Sequence, residues 1–216
     1  MIFICMEIDK NLKLQNEGCY SELLNEEDQK ILKQIITNYE FDVNSACHTG
    51  FQNDYTHNSN YNDLSKLKYQ AIENKVWQFW FFKASPIIGD DNFNFIKLIG
   101  KKILNKLYPN DIIEKYSDIN QINFTLFDYD CFIKNHQDGY SKNALCNILF
   151  YLNKDYKDGF GGELVINNEH IIKPEFGRIG VIDFYYSNPE HKVNKILSTK
   201  FHRKAFLASI PIKVVN

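Results

Sequence analysis

Apolar residues along this chain follow two periods, and the change from one to the other divides it. Phe95, Leu98, Ile99, Ile103 and Leu107 recur at three- and four-residue intervals and are closed by Pro109, which predicts an amphipathic helix over 91–107 packed on a sheet. Ile31, Leu32, Ile35 and Ile36 follow Asn25-Glu-Glu-Asp, an N-cap residue and an acidic first turn, and predict a second, surface helix. Residues 76–83, Val-Trp-Gln-Phe-Trp-Phe-Phe-Lys, are aromatic, β-prone and end before Pro86, so they predict one strand. Between these elements, 42–75 is polar and weakly periodic and reads as loops with at most one short strand or helix. A compact domain seldom carries a loop of that length without a functional reason.

Beyond residue 120 the period shortens. Runs at 121–128, 131–136, 145–152, 162–167, 178–184 and 203–212 are β-prone and separated by Gly, Asn, Asp and Lys turns, the pattern of a sandwich or barrel. Helices first and strands afterward predict an α+β fold, an antiparallel jelly-roll with N-terminal helices bracing one outer face. The length suits a single domain over 1–216, with a helical brace and leading strands in 1–120 and the jelly-roll core in 121–216.

Composition then narrows the class. A formal net charge of -2 and a pI near 6.3 offer no long-range attraction to nucleic acid or to an anionic membrane. Five scattered cysteines, Cys5, Cys19, Cys47, Cys131 and Cys146, lack any CxxC spacing and suit the reduced thiols of a cytoplasmic protein better than a disulfide framework or a zinc knuckle. The apolar start gives way to Glu7, Asp9 and Lys10 too soon for a signal-peptide core or a membrane span. Of 25 basic residues only Arg178 and Arg203 are arginines. In such a background an arginine is either a compositional survivor or the answer to a geometric need.

The chemistry gathers in the strands. Asn135-His-Gln-Asp-Gly puts His136 and Asp138 on one face of an extended backbone, two of the three ligands of a facial triad. Alone, such a triplet more often marks an exposed strand end, so a second imidazole is needed. His48 and His57 lie in the polar stretch, His170 follows a turn-like Asn-Asn-Glu run at the surface, and His202 points away from its neighbour Arg203. His191, beyond a glycine-rich turn and two predicted strands, can return from across a sheet and is the candidate third ligand. A triad leaves open positions for the carboxylate and carbonyl of a keto acid, whose far end needs a cation. Arg203, heading the last strand, offers a planar guanidinium for bidentate capture, with Lys200 and Lys204 as lesser alternatives.

Read in order, the motifs are Phe127-Asp-Tyr-Asp, His136-Gln-Asp138, Ile148-Leu-Phe-Tyr-Leu-Asn153, Gly161-Gly-Glu-Leu, Pro174-Glu-Phe-Gly-Arg-Ile-Gly-Val-Ile-Asp, His191-Lys-Val193 and Arg203. Over roughly 121–212 the series resembles the prolyl 4-hydroxylase-like branch of the iron(II)/2-oxoglutarate dioxygenases. The resemblance implies a double-stranded β-helix of cupin-like type, with His136, Asp138 and His191 on Fe(II) as metal and catalytic residues. It implies Arg203 on the distal carboxylate of 2-oxoglutarate, and Tyr129 and Asn147 facing the same cosubstrate. O2 is the other cosubstrate, ascorbate an accessory reductant, and succinate and CO2 the coproducts. The gap from His191 to Arg203 is longer than usual in the family, and no arginine precedes the Ile148–Asn153 run. The carboxylate of Asp138 favours hydroxylation, since iron halogenases of this architecture carry a small residue there.

Within that family the commonest target is an amino-acid side chain, prolyl or other, in a peptide or protein or free. A small-molecule oxygenase of the same mechanism is the alternative, and a cupin-like isomerase or non-catalytic metal-binding module lies outside the class. Nucleic acid is disfavoured as a partner for want of a further arginine and a basic groove. The Tyr- and Asn-rich segment 51–69, with Trp77 and Trp80, is the candidate lid or substrate wall, or else packing for the helical brace.

Overall fold

A computed structural model describes residues 10–38, 77–78, 80–83, 85–116, 118–120, 122–138 and 143–213. The expectations for His48, His57 and 42–75, the proposed lid segment included, lie outside the described residues.

Helix α1 (Lys10–Glu17) ends at Gly18, whose φ of 71° is the left-handed C-terminal turn that glycine adopts without strain. Strand β1 (Cys19–Leu23) follows. Helix α2 (Glu26–Asn38) starts where Asn25 Oδ1 accepts from the Asp28 amide at 2.8 Å, with Glu26, Glu27 and Asp28 favourably placed at the positive end of the helix dipole. Helix α3 (Ser85–Leu107) begins earlier than the periodicity predicts and breaks at Gly89, φ 74°. Its buried stripe is Ile88, Ile96, Ile99, Ile103, Leu104 and Leu107, whereas Leu98, read from sequence as part of the stripe, is 53% exposed. A short α4 (Asn110–Ile113) follows Pro109.

The predicted single strand at 76–83 is two. β2 (Trp77–Gln78) pairs with β5 and β3 (Trp80–Lys83) with β4, so the chain crosses here from one sheet to the other. The remaining strands are β4 (Asn123–Phe127), β5 (Phe132–His136), β6 (Ala144–Tyr151), β7 (Leu164–Ile166), β8 (His170–Ile172), β9 (Arg178–Asp183), β10 (His191–Val193) and β11 (Arg203–Pro211). A six-stranded sheet, β1-β9-β6-β11-β4-β3, faces a five-stranded one, β2-β5-β10-β7-β8, and the pairings are antiparallel throughout. These are the two walls of a double-stranded β-helix.

Alternation along the strands sorts two cores. Cys146, Ile148, Phe150 and Leu152 join Ile179, Val181, Phe206, Ala208 and the buried stripes of α2 and α3. On the other face, Leu149 and Tyr151 meet Phe127, Ala205, Leu164, Ile166 and Val193 between the sheets. Every residue of β6 is therefore buried, and its sequence runs largely apolar, with Asn147 as the polar exception on the inner face. The helices cover the outer face of the larger sheet, as the order of periods predicts.

Candidate metal centre and anion pocket

Only the inner faces of the two sheets see the space between them, so any site there is built from every second residue of several strands. His136 ends β5 and His191 begins β10. The two are register partners across an antiparallel pair that shifts register before Val193, an irregularity that aims side chains at the end of the sheet. Their ring centroids stand 4.3 Å apart at 51°. Asp138 lies just past β5, with Oδ1 3.5 Å from His136 Nε2 and Oδ2 3.8 Å from His191 Nε2. One ligand atom from each of the three falls within 4.8 Å of the others.

Both imidazoles are held the same way. His136 Nδ1 lies 2.8 Å from the Lys134 carbonyl and His191 Nδ1 lies 3.1 Å from the Pro189 carbonyl. A carbonyl only accepts, so a hydrogen sits on each Nδ1 and Nε2 is the nitrogen turned toward the carboxylate of Asp138. That is the orientation a metal-binding imidazole requires. Burial pulls the proton affinity of His136 down, but the Asp138 hydrogen bond, the Lys134 carbonyl and the Asp138 charge outweigh it, leaving the pKa above 6.5. At the more deeply buried His191 desolvation, helped by repulsion from His136, prevails over the Pro189 carbonyl and Asp138, and the pKa falls below 6.5. Two imidazoles and one carboxylate converging from one side form the donor set and geometry of a facial iron(II) site, and the residues present fit that metal.

Asn147, on the inner face of β6, reaches Asp138 rather than standing apart from the ligands. Its Nδ2 lies 3.4 Å from Asp138 Oδ2, while Ser209 Oγ of the neighbouring strand donates to Asn147 Oδ1 at 2.6 Å. The serine fixes the amide so that its NH2 faces the carboxylate. Four residues along the same face, roughly 13 Å of strand, stands Tyr151, whose role the sequence did not single out. Its hydroxyl accepts from Arg203 Nη2 at 3.3 Å. The signal was present, because 147, 149 and 151 share one parity with Asn147.

Arg203 is 1% exposed. Its guanidinium lies over Phe127 at 4.5 Å and Tyr151 at 5.1 Å, and Nε has no hydrogen-bond partner. No carboxylate among the described residues forms an ion pair with it, although Arg178 pairs with Glu175 at 2.6 Å. A buried, always-charged group without an anion costs several kcal/mol, which a bound carboxylate would offset. Burial raises the Tyr151 phenol above its ordinary value against the lowering effect of Arg203, so its hydrogen is retained and free to donate. Gly161 and Gly162 make room: a Cβ on the first would stand 1.9 Å from the Lys195 carbonyl, and one on the second would press on Ile196 and Arg203.

The other predicted residues divide. Tyr129 occupies the turn after β4 and is 46% exposed. His202 points outward and faces Asp128 at 3.3 Å. His170, read as a surface residue following a turn, is half-buried beside Glu17 and Cys19, where it opens strand β8.

Residues 122–208 match the model of the 2OG-Fe(II) oxygenase superfamily. Comparison with curated protein sequences gives no match. In fold the chain is similar to a Pseudomonas putida prolyl-4-hydroxylase, with a TM-score of 0.65 and 11% identity over 94% of this chain and 97% of that one. It is equally similar to a prolyl hydroxylase from Trichoplax adhaerens in complex with a hypoxia inducible factor oxygen degradation domain peptide fragment, TM-score 0.65 and 12% identity over 94% and 88%. A viral collagen prolyl hydroxylase from Paramecium Bursaria Chlorella virus-1, in its 2OG complex, gives 0.52 and 18% over 69% and 89%. At these identities the likeness speaks to fold.

Proposed function

Because residues 122–208 match the model of the 2OG-Fe(II) oxygenase superfamily, we propose that this enzyme hydroxylates an unactivated C–H bond of an amino-acid side chain, a prolyl residue in a peptide first among them. His136, Asp138 and His191 hold the iron. Arg203 and Tyr151 hold the distal carboxylate of 2-oxoglutarate, and Asn147 keeps Asp138 turned toward the metal. The observation that carries the reading is the buried guanidinium of Arg203, without an ion-pair partner among the described residues, on the larger sheet that faces the smaller sheet carrying the His-Asp-His cluster.

The iron, when bound, supplies O2 activation coupled to decarboxylation of 2-oxoglutarate, giving succinate and CO2. Everything else falls to the chain. Arg203 meets a carboxylate with a fork of N–H donors, and Tyr151 adds its O–H from a position that the guanidinium itself fixes. Apolar neighbours Phe127, Leu164 and Ile196 keep water from competing for that charge pair. The backbone carbonyls of Lys134 and Pro189 hold both imidazoles in the ligating tautomer. Support for a peptide substrate comes from neighbours in fold that are prolyl hydroxylases, one of them complexed with a peptide. A small-molecule substrate is the alternative within the same chemistry. A non-catalytic cupin-like module would have no use for a cation buried without an ion-pair partner among the described residues.

Anaerobic addition of Fe(II) and 2-oxoglutarate should produce the visible charge-transfer band of the chelate, and His191→Ala should abolish it. Succinate release should then rise on addition of a proline-containing peptide. A chelate band with no stimulation by any peptide or amino acid would overturn the substrate assignment while keeping the chemistry. No band in the folded wild-type protein would sink both.

A further inference from the structure

A second cluster of metal-ligating side chains lies apart from the His-Asp-His triad. Glu17 is the last residue of α1, Cys19 the first of β1, and His170 the first of β8. Strands β1 and β8 are end strands of the two different sheets. One donor atom from each of the three residues lies within 4.8 Å of the others. We propose that these residues form a second metal site, suited to a borderline-soft divalent ion of the zinc class, which ties α1 to the edges of both sheets.

The local chain geometry is arranged for this. Gly18, at φ 71°, turns the chain so that the residues before and after it, Glu17 and Cys19, serve one cluster; its amide bonds to the Leu14 carbonyl and its carbonyl accepts from Asp183. A side chain at 18 would collide with Ser187 and Pro189, so the turn is fixed from outside as well. On the opposite sheet Asn167 and Asn168, both with positive φ, make the tight turn that delivers His170 in register with Ile166.

Cys19 is 3% exposed, and among the described residues its thiol has no hydrogen-bond partner, yet its sulfur lies within 4.8 Å of a carboxylate oxygen and an imidazole nitrogen. His170 Nδ1 stands 3.6 Å from Glu17 Oε2, too long for a hydrogen bond. It is, however, within the roughly 3.3–3.8 Å that separates ligands of one tetrahedral zinc ion with bonds of about 2.0–2.3 Å. Among the described residues the only other ion pair of Glu17 is a 3.8 Å helical contact with Lys13, with Lys13 44% exposed, too weak to hold the carboxylate away. Thiolate, imidazole and carboxylate together favour zinc, whereas the triad has no sulfur and favours iron. Because Glu17 and His170 are only half-buried, solvent can take the fourth position, and the thiol proton leaves to solvent as the ion binds.

Cobalt(II) separates the two sites, since only a thiolate ligand gives a sulfur-to-cobalt charge-transfer band in the near ultraviolet. The full chain should take up two equivalents, one of them with that band. Cys19→Ser and His170→Gln should each lose the band and one equivalent while keeping the second. The His136→Ala/Asp138→Ala variant should keep the band. His170→Gln changes a half-buried side chain and guards against a folding failure at Cys19. A single equivalent without the band, or a band that survives Cys19→Ser, would overturn the proposal.

Discussion

Arg203 concentrates the cost and the use of this architecture in one side chain. Without a carboxylate ion-paired to it among the described residues, and packed on Phe127 and Tyr151, it has N–H donors to offer the proposed anion. Arg203→Ala should weaken 2-oxoglutarate binding by about 2 kcal/mol or more, on the order of thirtyfold. Metal binding without 2-oxoglutarate should be unchanged, as titration with redox-inert Mn(II) would report. Proton competition at the triad has a definite sign. In the metal-free protein His136 is more basic than 6.5 and His191 less. Because a metal must displace a proton from any charged imidazole, Mn(II) affinity should fall as pH drops through the raised pKa of His136. The dependence should approach one proton per metal at first and steepen only below 6.5, when His191 begins to charge. Calorimetry across that range checks both limbs, and no fall near neutral pH would refute the assignment of His136.

Elements differ in how openly their sequences announce them. Helix α3 is legible because four turns repeat one apolar stripe, yet Leu98 falls just outside it and is exposed while Ile99 is 2% exposed. Ile99→Ala should cost about 2–5 kcal/mol by loss of buried contacts and the cavity left behind. Leu98→Lys should cost less than about 0.5 kcal/mol. Denaturant unfolding of the two variants measures the contrast, and equal losses would show that the register of the stripe is misassigned. Strand β6 announces itself by an apolar run broken only at Asn147, since helices cover one face and the inner core the other. By contrast β8 and β10 have three residues each, too few for a period of two to emerge, and β1 alternates weakly because it lies at a sheet edge. The split at 76–83 could not be read at all: aromatic residues suit either sheet, and only the partners β5 and β4 separate β2 from β3.

For the molecule as a whole, a buried charge awaiting a ligand links binding to stability. Metal with 2-oxoglutarate at about a hundred times its Kd should raise the stability by about 2.7 kcal/mol, and the Tm by roughly 5–10 °C for a chain of this size. Arg203→Met should raise the Tm of the ligand-free protein, because the desolvated cation is removed, and should erase most of the 2-oxoglutarate-dependent increment. A variant that is less stable without ligand would show that the guanidinium holds the wall together. Among the described residues no helix is long and apolar enough to cross a membrane.

By itself the sequence determined the two periods, hence helices on one side of a strand-built core, and it supplied the residue types of the candidate triad and of Arg203. Those are local properties, written in the spacing of neighbours and in chemistry each side chain carries alone. Tertiary structure decided the rest. His191 meets His136 only because β10 lies against β5 in one register, and a slip of one residue would turn it to the other face. Tyr151 beneath Arg203, Asn147 on Asp138, and His170 beside Glu17 and Cys19 likewise join positions distant in the chain. Such pairings are selected by the packing of both sheets together, and no short window of sequence contains the energy that selects them.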